Sequence, residues 1–501
     1  MIHRKFELKL KFAWLVIFLT GMSFFSFSQR VLTIEQALEI AEDSNPSIKA
    51  SKLSLQRTQF LLDAQYAGLK PNFRFTINPL NYGQSRSFDD YNAAWFTSKS
   101  FSSSGTFRGD MTFLPTDATL QFNNTFSWQS SESVRANGTN TSKAFTNKLS
   151  LSLNQPIFTH NRTKMTIQGL EFDKENAGIS YALQRLTQEQ RITSQFYSVY
   201  SAKRTLEIRR AELKNAETNY EIIKAKVDAQ LTAEQELYQA DVSLANAQLA
   251  VKQSEVSLED TKDNLKQMLG MPLNEDIDVD VTIEATPMTI DIKKAIQQGM
   301  ASRMELRQRE INMIDADLTM ITIKARNEFY GNVQLSVGID GDHERFGNIY
   351  ETPTNSPKAS VTFTIPVFDW GQKRAQVNAQ KVAQTVAKLN YDNEVVCIEQ
   401  EIRSSLRNLE NYSYELEIQE LTVRNAEKTL QLNQVLYQEG DINGLQWSQY
   451  QGQYSSAQTS LVRAQISYKQ ELLRLKIYTL YDFENDKPIV PVRELIGGVM
   501  K

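Results

Sequence analysis

The chain is poor in the residues that metal binding and catalysis depend on. Its 501 residues include one cysteine and three histidines. Cys397 alone permits no intramolecular disulfide, and on a long helix it reads as a small packed side chain. His3 falls in the N-terminal leader, leaving His160 and His343. His343 stands in an acidic loop, Asp340-Gly-Asp-His-Glu344, which reads as solvated charge rather than a metal site. There is no His/Cys/acid spacing for zinc, no phosphate loop and no nucleophile elbow, so no catalytic residue, metal or cofactor is expected. A basic excess is missing as well. With 55 Lys and Arg against 59 Asp and Glu, the net charge of −4 offers nucleic acid no electrostatic footprint. Beyond the leader no stretch of about 18 apolar residues occurs, so a mature chain that enters a membrane must do so by strands.

The leader itself is patterned. Arg4, Lys5, Lys9 and Lys11 precede the apolar run Phe12–Thr20, followed by small and polar residues to Gln29. This is the pattern of a secretory signal peptide over residues 1–28, cleaved near Ser28. No cysteine lies near that position, so lipoprotein processing is not expected.

What the chain has in quantity is helical periodicity, and it has it twice. Leu237, Ala240, Leu244, Ala247 and Val251 begin a heptad seam that runs to Met268, in steps alternating between three and four. Adding 210 gives Trp447, Tyr450, Tyr454, Ala457 and Leu461 with the same spacing, and identities such as Pro156/Pro366, Phe158/Phe368 and Asn215-Ala-Glu217/Asn425-Ala-Glu427 fit the shift without a gap. Each copy reads as a long helical hairpin, 161–269 and 371–479. The first arm alone, Asn161 to about Asp228, would measure roughly 100 Å. Ahead of each hairpin lie shorter helical stretches, 33–70 and 291–327. In the first, Thr33 is an N-cap and Asn45-Pro46 a break.

Between helices and hairpins the period changes to two. Phe73, Phe75 and Ile77 alternate with Arg74, Thr76 and Asn78; Leu149, Leu151 and Leu153 alternate with Ser150 and Ser152. Val333, Leu335, Val337 and Ile339, and Ala359, Val361, Phe363 and Ile365, repeat the pattern. Strands are therefore expected at about 72–79, 146–155, 331–340 and 357–367, apolar on one face and polar on the other, as a membrane barrel requires. Four strands cannot close a barrel, so several protomers would share one. The link 79–146 is rich in Ser, Asn, Thr and Gly. Within it Leu120, Phe122, Phe126 and Trp128 alternate, leaving an extra hairpin open. Both this link and 340–357 are expected outside the cell, with Ser103 and Asn348 as markers.

The order of short helices, strand pair and long hairpin, all repeated behind a signal peptide, resembles the TolC-type outer-membrane efflux protein family over essentially the whole mature chain. The carriers are Leu32-Thr-Ile-Glu-Gln-Ala-Leu38 with Asn45-Pro46, Leu153-Asn-Gln-Pro-Ile-Phe158, Thr364-Ile-Pro-Val-Phe368 and Tyr437-Gln-Glu-Gly-Asp441. The resemblance implies an α+β membrane protein with an internal twofold repeat, 29–270 and 291–480, joined by a linker 271–290 and ending in a tail 481–501. It implies a homotrimer whose chains share one twelve-stranded β-barrel in outer-membrane lipid and one periplasmic α-barrel. The implied partners are a periplasmic adaptor and an inner-membrane RND or ABC pump, in a tripartite efflux or type I secretion system of a Gram-negative cell.

By the same resemblance, the hairpin turns are the periplasmic tips, where such channels close and dock adaptors. The tip residues fall on Gln230, Glu236 and Ala240 in the first copy, and on Tyr437, Gly440, Asp441, Gln446, Gln449 and Tyr450 in the second. Gln446 and Gln449 occupy positions where some members carry paired acids, and Ile442 stands where they carry a basic latch. Phe158, Phe368 and Trp370 suit a membrane-interface girdle. The competing reading is a structural protein, a periplasm-spanning coiled-coil tether or adhesin without a channel. Few histidines and no methionine cluster speak against a dedicated metal cargo.

Overall fold

The structure, a computed structural model, describes residues 30–90, 93–135, 138–280, 283, 286–326, 328–439 and 441–489. The expected signal peptide 1–28 with cleavage near Ser28, the expected tip residue Gly440, Val281 and residues 490–501 lie outside the described residues. In chain order the elements are β1 (Arg30–Leu32), α1 (Ile34–Ser44), α2 (Pro46–Ala67), β2 (Asn72–Asp89), β3 (Ala94–Phe113), β4 (Ala118–Arg135), β5 (Gly138–Ile157), α3 (Arg162–Asp228), α4 (Glu234–Leu269), β6 (Ile277–Val279), α5 (Ile292–Ser302), α6 (Met304–Ala325), β7 (Tyr330–His343), β8 (Thr354–Asn355), β9 (Lys358–Thr364), α7 (Gln372–Glu439), α8 (Gly444–Thr479), β10 (Tyr481–Asp482) and β11 (Lys487–Pro488). No described helix is long and apolar enough to cross a membrane. The chain divides into two compact units, each drawn from several segments.

The first unit comprises residues 1–50, 183–302 and 399–490. Its core joins Leu32, Ala37, Ala41, Phe196, Leu265 and Leu269, all essentially inaccessible. The heptad positions Val251, Leu258 and Leu265 point into this core. Thr33 caps α1 through a box with Gln36. Asn45 then does two jobs. Its Oδ1 accepts from the amides of Ser47 and Ile48, capping α2 ahead of Pro46, while its Nδ2 donates to the Met268 carbonyl at the end of α4. Gly270 follows α4 with φ 73°, and a Cβ there would stand 2.5 Å from the Ser44 carbonyl oxygen, so only glycine fits.

The 271–290 stretch proves to be more than a link. Ile277–Val279 pairs in parallel with Arg30–Leu32, and Lys203 on α3 holds Asp278 at 2.6 Å. Tyr468 of α8, fully buried, donates to the Thr286 carbonyl and accepts from the Met288 amide. The tail, too, begins as structure: β10 and β11 form a small hairpin anchored by Lys294 to Asp486 at 2.6 Å.

The second unit comprises residues 51–182 and 303–398 among the described residues. Here α6 is tied on both sides: Arg307 grips Glu175 with two bonds of 2.7 and 3.2 Å, and Arg309 pairs with Glu394 at 3.0 Å. The expected helix 291–327 is two helices, α5 and α6, because Arg303 sits in extended conformation at φ −64°, ψ 119°. No proline announces this break, and Arg303 provides no side-chain cap.

The sheet departs most from expectation. The stretch 79–146 carries the extra hairpin that its alternation left open. β2 and β5 run on to Asp89 and back from Gly138, and β3 and β4 fill the space between, giving the antiparallel order β2-β3-β4-β5-β7 with β8 and β9 both beside β7. Ser103 lies in mid-strand opposite Trp128, while Asn348 lies in the short 3-10 turn Phe346–Asn348. Ser, Thr, Asn and Gly suggest a loop by composition, but here they lie in paired strands, most of them on the face that carries Thr106 and Thr125. β9 ends at Thr364 rather than 367, since Pro366 lacks the N–H to extend the ladder.

Candidate functional site

The sheet sorts its side chains onto two faces. One register row crosses all the long strands and is polar throughout: Asn72, Asp110, Gln121, Ser152, Ser336 and Lys358. The next row on the other face is apolar: Phe73, Gly109, Phe122, Leu151 and Val337. A period of two makes this separation automatic once the pairing is in register. Polar partners meet along their own face, as Ser152 to Ser336 at 3.1 Å and Thr106 to Thr125 at 3.2 Å. The apolar face is open: Phe73, Phe75 and Ile77 are each more than 60% exposed.

Aromatic rings gather at two levels of that sheet. Where β5 and β9 lead toward helices, Phe158 stands 5.5 Å from Phe329 and 6.5 Å from Phe363, and Phe368 meets Trp370 edge-on at 4.7 Å. Trp370 is 90% exposed and takes φ 53° at the start of α7, so it is not packed into the helix start. Farther along the strands, Tyr82 lies 4.7 Å from Phe101, and Phe346 stands edge-on to Phe126 and Phe145 at 5.5 and 5.9 Å. Beyond this second level the same face carries Lys99, 3.8 Å from Glu132, and farther still Phe88 edge-on to Trp95 at 5.3 Å. The second aromatic level was not singled out from the sequence, although its alternation (Phe126, Trp128) is visible there.

The hairpin turns belong to the first unit. In the first turn Gln230 adopts φ 53°, the left-handed conformation that ends α3, and its amide bonds the Val227 carbonyl. Glu234 and Glu236 occupy the first turn of α4, where carboxylates favour the helix dipole. In the second turn the Asp441 amide reaches the Leu436 carbonyl at 2.9 Å. Gln446 is engaged locally: Asn443 accepts from its amide at 2.9 Å, and its side-chain oxygen accepts from the Asn443 amide at 3.1 Å. That capping box holds the Gln446 side chain against its own helix start; the spacing Asn443-x-x-Gln446 carries the signal. Gln449, Asp441 and Glu236 are exposed.

Tyr437 organises this end. Its ring stacks on Trp447 at 5.6 Å, its hydroxyl donates to Asn219 of α3, and Lys226 lies 5.8 Å from the ring centroid. Burial raises its phenol above the ordinary range, and the Glu236 charge adds to that. Asn219, Ile223, Glu236, Ala240, Asn443 and Leu445 line a cavity of about 170 Å³ beside it. Thus the structure brings Tyr437, Glu236 and the Asn443–Gln446 cap together. Asn219, Lys226 and Asn443 are members that the sequence did not single out. Among the described residues no group of three or more His, Cys, Asp or Glu side chains is placed to hold a metal ion.

Known proteins share this architecture. The family described as outer membrane efflux protein matches residues 116–271 and 295–479, more than half of the chain. The probable outer membrane lipoprotein SilC of Salmonella typhimurium is 19% identical over 299 residues, covering 58% of this chain and 62% of SilC, so less than two thirds of that relative's length is spanned. Nodulation protein T of Rhizobium leguminosarum bv. viciae is 21% identical over 66% of this chain and 68% of its own. Among solved structures, the Campylobacter jejuni CmeC outer membrane channel superposes with a TM-score of 0.69 at 14% identity, over 93% of this chain and 89% of CmeC. The open-state MtrE outer membrane channel of Neisseria gonorrhoeae gives 0.65 at 15% identity, over 89% and 88%. With a long-hairpin and two-faced-sheet fold common to these channels, and a family match over most of both hairpins, the chain belongs to the outer membrane efflux protein family and resides in the outer membrane.

Proposed function

We propose that this protein is the outer-membrane channel of a tripartite efflux or type I secretion system, a conduit from periplasm to exterior built from three copies. The observation that carries the reading is the sheet: strands with one apolar, solvent-open face and one polar face are suited to lipid outside and water inside. Membership in the efflux family favours a channel over a coiled-coil tether or adhesin, which would need no such sheet.

The trimer is supported by apolar surface with no partner in a single chain. Val242, Leu249 and Val256, seven residues apart on α4, are 61, 56 and 62% exposed, a stripe that a neighbouring helix would cover. The twofold repeat is supported by element lengths. α1 and α5 each have 11 residues, α2 and α6 each 22, α4 and α8 each 36. On this reading the signal peptide is 1–28, the repeats are 29–270 and 291–480, with 271–290 between them and 481–501 as the tail. Hydroxyl-rich walls suit a wet tunnel: Ser198, Ser201, Thr205, Ser254, Ser257 and Thr261 border a groove of about 450 Å³.

In this arrangement the turns with Gln230, Glu236, Tyr437, Gly440, Asp441, Gln446 and Gln449 form the closing tip and the docking site for a periplasmic adaptor, behind which stands an RND or ABC pump. Phe158, Phe368 and Trp370 form an aromatic girdle at the membrane interface. Purified protein in planar bilayers should give discrete conductance steps, and mass measurement in detergent should give a trimer. A trimer that inserts but never conducts would sink the channel reading.

A further inference from the structure

The sheet has two free edges. Among the described residues β2 pairs only with β3, and β9 only with β7. All of β9, and all but the last residue of β2, are exposed. Every neighbouring pair along β2, β3, β4, β5, β7 and β9 is antiparallel, and six is an even number, so β2 and β9 run in opposite directions. A copy placed edge to edge therefore continues the antiparallel ladder. The lengths agree too: β9 has seven residues, and β2 is regular from Asn72 to Asn78 before its bulge.

We infer that all six long strands of each chain stand in the membrane wall, with β2 of one copy pairing with β9 of the next. Three copies then close an eighteen-stranded barrel rather than the twelve-stranded one that two strands per repeat would give. This rests on the trimer proposed above, and adds the strand count and the seam.

The hairpin β3–β4 decides the count, and two observations place it in the wall. First, it keeps the two faces of its neighbours. Phe107 stacks on Phe73 of the edge strand at 5.7 Å and meets Phe122 at 6.0 Å, while Thr106 and Thr125 meet on the polar side. A loop lying outside the membrane, or a plug within the lumen, would have similar surroundings on both sides and no reason to alternate. Second, its turn reaches the level where the strands end. Asp117 accepts from the Arg162 amide at 3.2 Å and from the Thr163 hydroxyl at the start of α3, and the Thr116 carbonyl accepts from Gln155 at 2.8 Å. The hairpin thus spans the full depth of the sheet.

The strand count sets the width. At about 4.8 Å between strands and a tilt of about 40°, eighteen strands give a backbone radius of about 18 Å and twelve about 12 Å. A barrel this wide leaves an aqueous lumen, as in 16–18-stranded porins, so it would impose little sieving and leave selection to the helical tunnel.

The test uses full-length protein carrying Cys397→Ser, reconstituted in phosphatidylcholine bilayers, with each variant checked as a trimer by mass. Single cysteines at Phe107→Cys, Phe122→Cys, Thr106→Cys and Asn123→Cys carry an environment-sensitive fluorophore. A lipid-borne nitroxide should quench the first two by about twofold or more over the last two, and aqueous iodide should do the reverse. In parallel, Thr76→Cys is combined with Ser360→Cys or Thr362→Cys, and an inter-chain disulfide should form. If trimers form but the four hairpin sites quench alike, or neither cysteine pair cross-links, the eighteen-stranded wall is overturned. If no trimer forms in the parent protein, the fault lies with the trimer reading instead.

Discussion

At the scale of single residues, Asp482 shows how a short tail segment is held. Burial alone would raise its pKa, but hydrogen bonds from Lys476 at 2.8 Å and from Asn485 outweigh it and lower the pKa to about 2. The sign follows from the depression: the stabilisation is complete above the unfolded value of about 4 and disappears as pH falls from there through about 2. Because Lys476 is a third exposed, water screens the pair, and about 1 kcal/mol is the expected contribution. Asp482→Asn should lower the melting temperature at pH 7, and the gap from wild type should close near pH 2. A gap independent of pH would assign the loss to packing. At the tip, Tyr437→Phe should cost about 1 kcal/mol by leaving Asn219 without its donor, while Trp447→Ala should cost about 2–3 kcal/mol by removing the stacked ring. Hydrogen exchange at the ends of α3 and α7 would read both; equal protection in the two variants would show that the stack contributes nothing.

Elements are set by their ends here more than by helix propensity. α2 starts where it does because Asn45 caps it and Pro46 suits its first position, and the same side chain fastens the end of α4. Asn45→Ala therefore loses a cap and a long-range bond together, about 2 kcal/mol, whereas Asn45→Asp keeps the cap and loses only the donor to Met268. Denaturant midpoints for the two variants should separate in that order. Equal midpoints would mean that the cap is not what matters. The Asn45-Pro46 break was readable because both residue types have strong positional preferences. The break at Arg303 was not, since arginine has none and the conformation there is set by what α5 and α6 pack against.

For the whole molecule, the proposed tip lacks the dense ring of acids that paired carboxylates would form. Gln446 is tied into its capping box and Gln449 is neutral, so an anionic ring at the tip would require Glu236 or Asp441 to turn inward. Neutral polar side chains discriminate weakly between ions of opposite sign. Channels in planar bilayers should show modest cation preference and weak block by multivalent cations. Gln446→Asp with Gln449→Asp should raise both, and the first substitution leaves an acid at a helix N-terminus, where it is tolerated. Strong cation selectivity in the wild type, unchanged by the double substitution, would locate the constriction elsewhere.

The sequence by itself determined the helical hairpins, the leader pattern, the alternating strands at about 72–79, 146–155, 331–340 and 357–367, and the family resemblance. Those features are periodic, and periodicity is local: a heptad seam or a two-residue alternation is legible wherever the chain repeats it. Only the tertiary structure decided the rest. The segment 79–146 reads as a link in which an extra hairpin stays open, because a water-facing strand surface and a loop share one composition in Ser, Thr, Asn and Gly; pairing of β3 and β4 on both edges is what distinguishes them. Tyr437 and Asn219 lie 218 residues apart, as do other contacts between distant helices, and no local signal joins them. The pairing of β6 with β1 likewise depends on a buried core that forms only when residues 32–41, 192–206 and 251–279 come together.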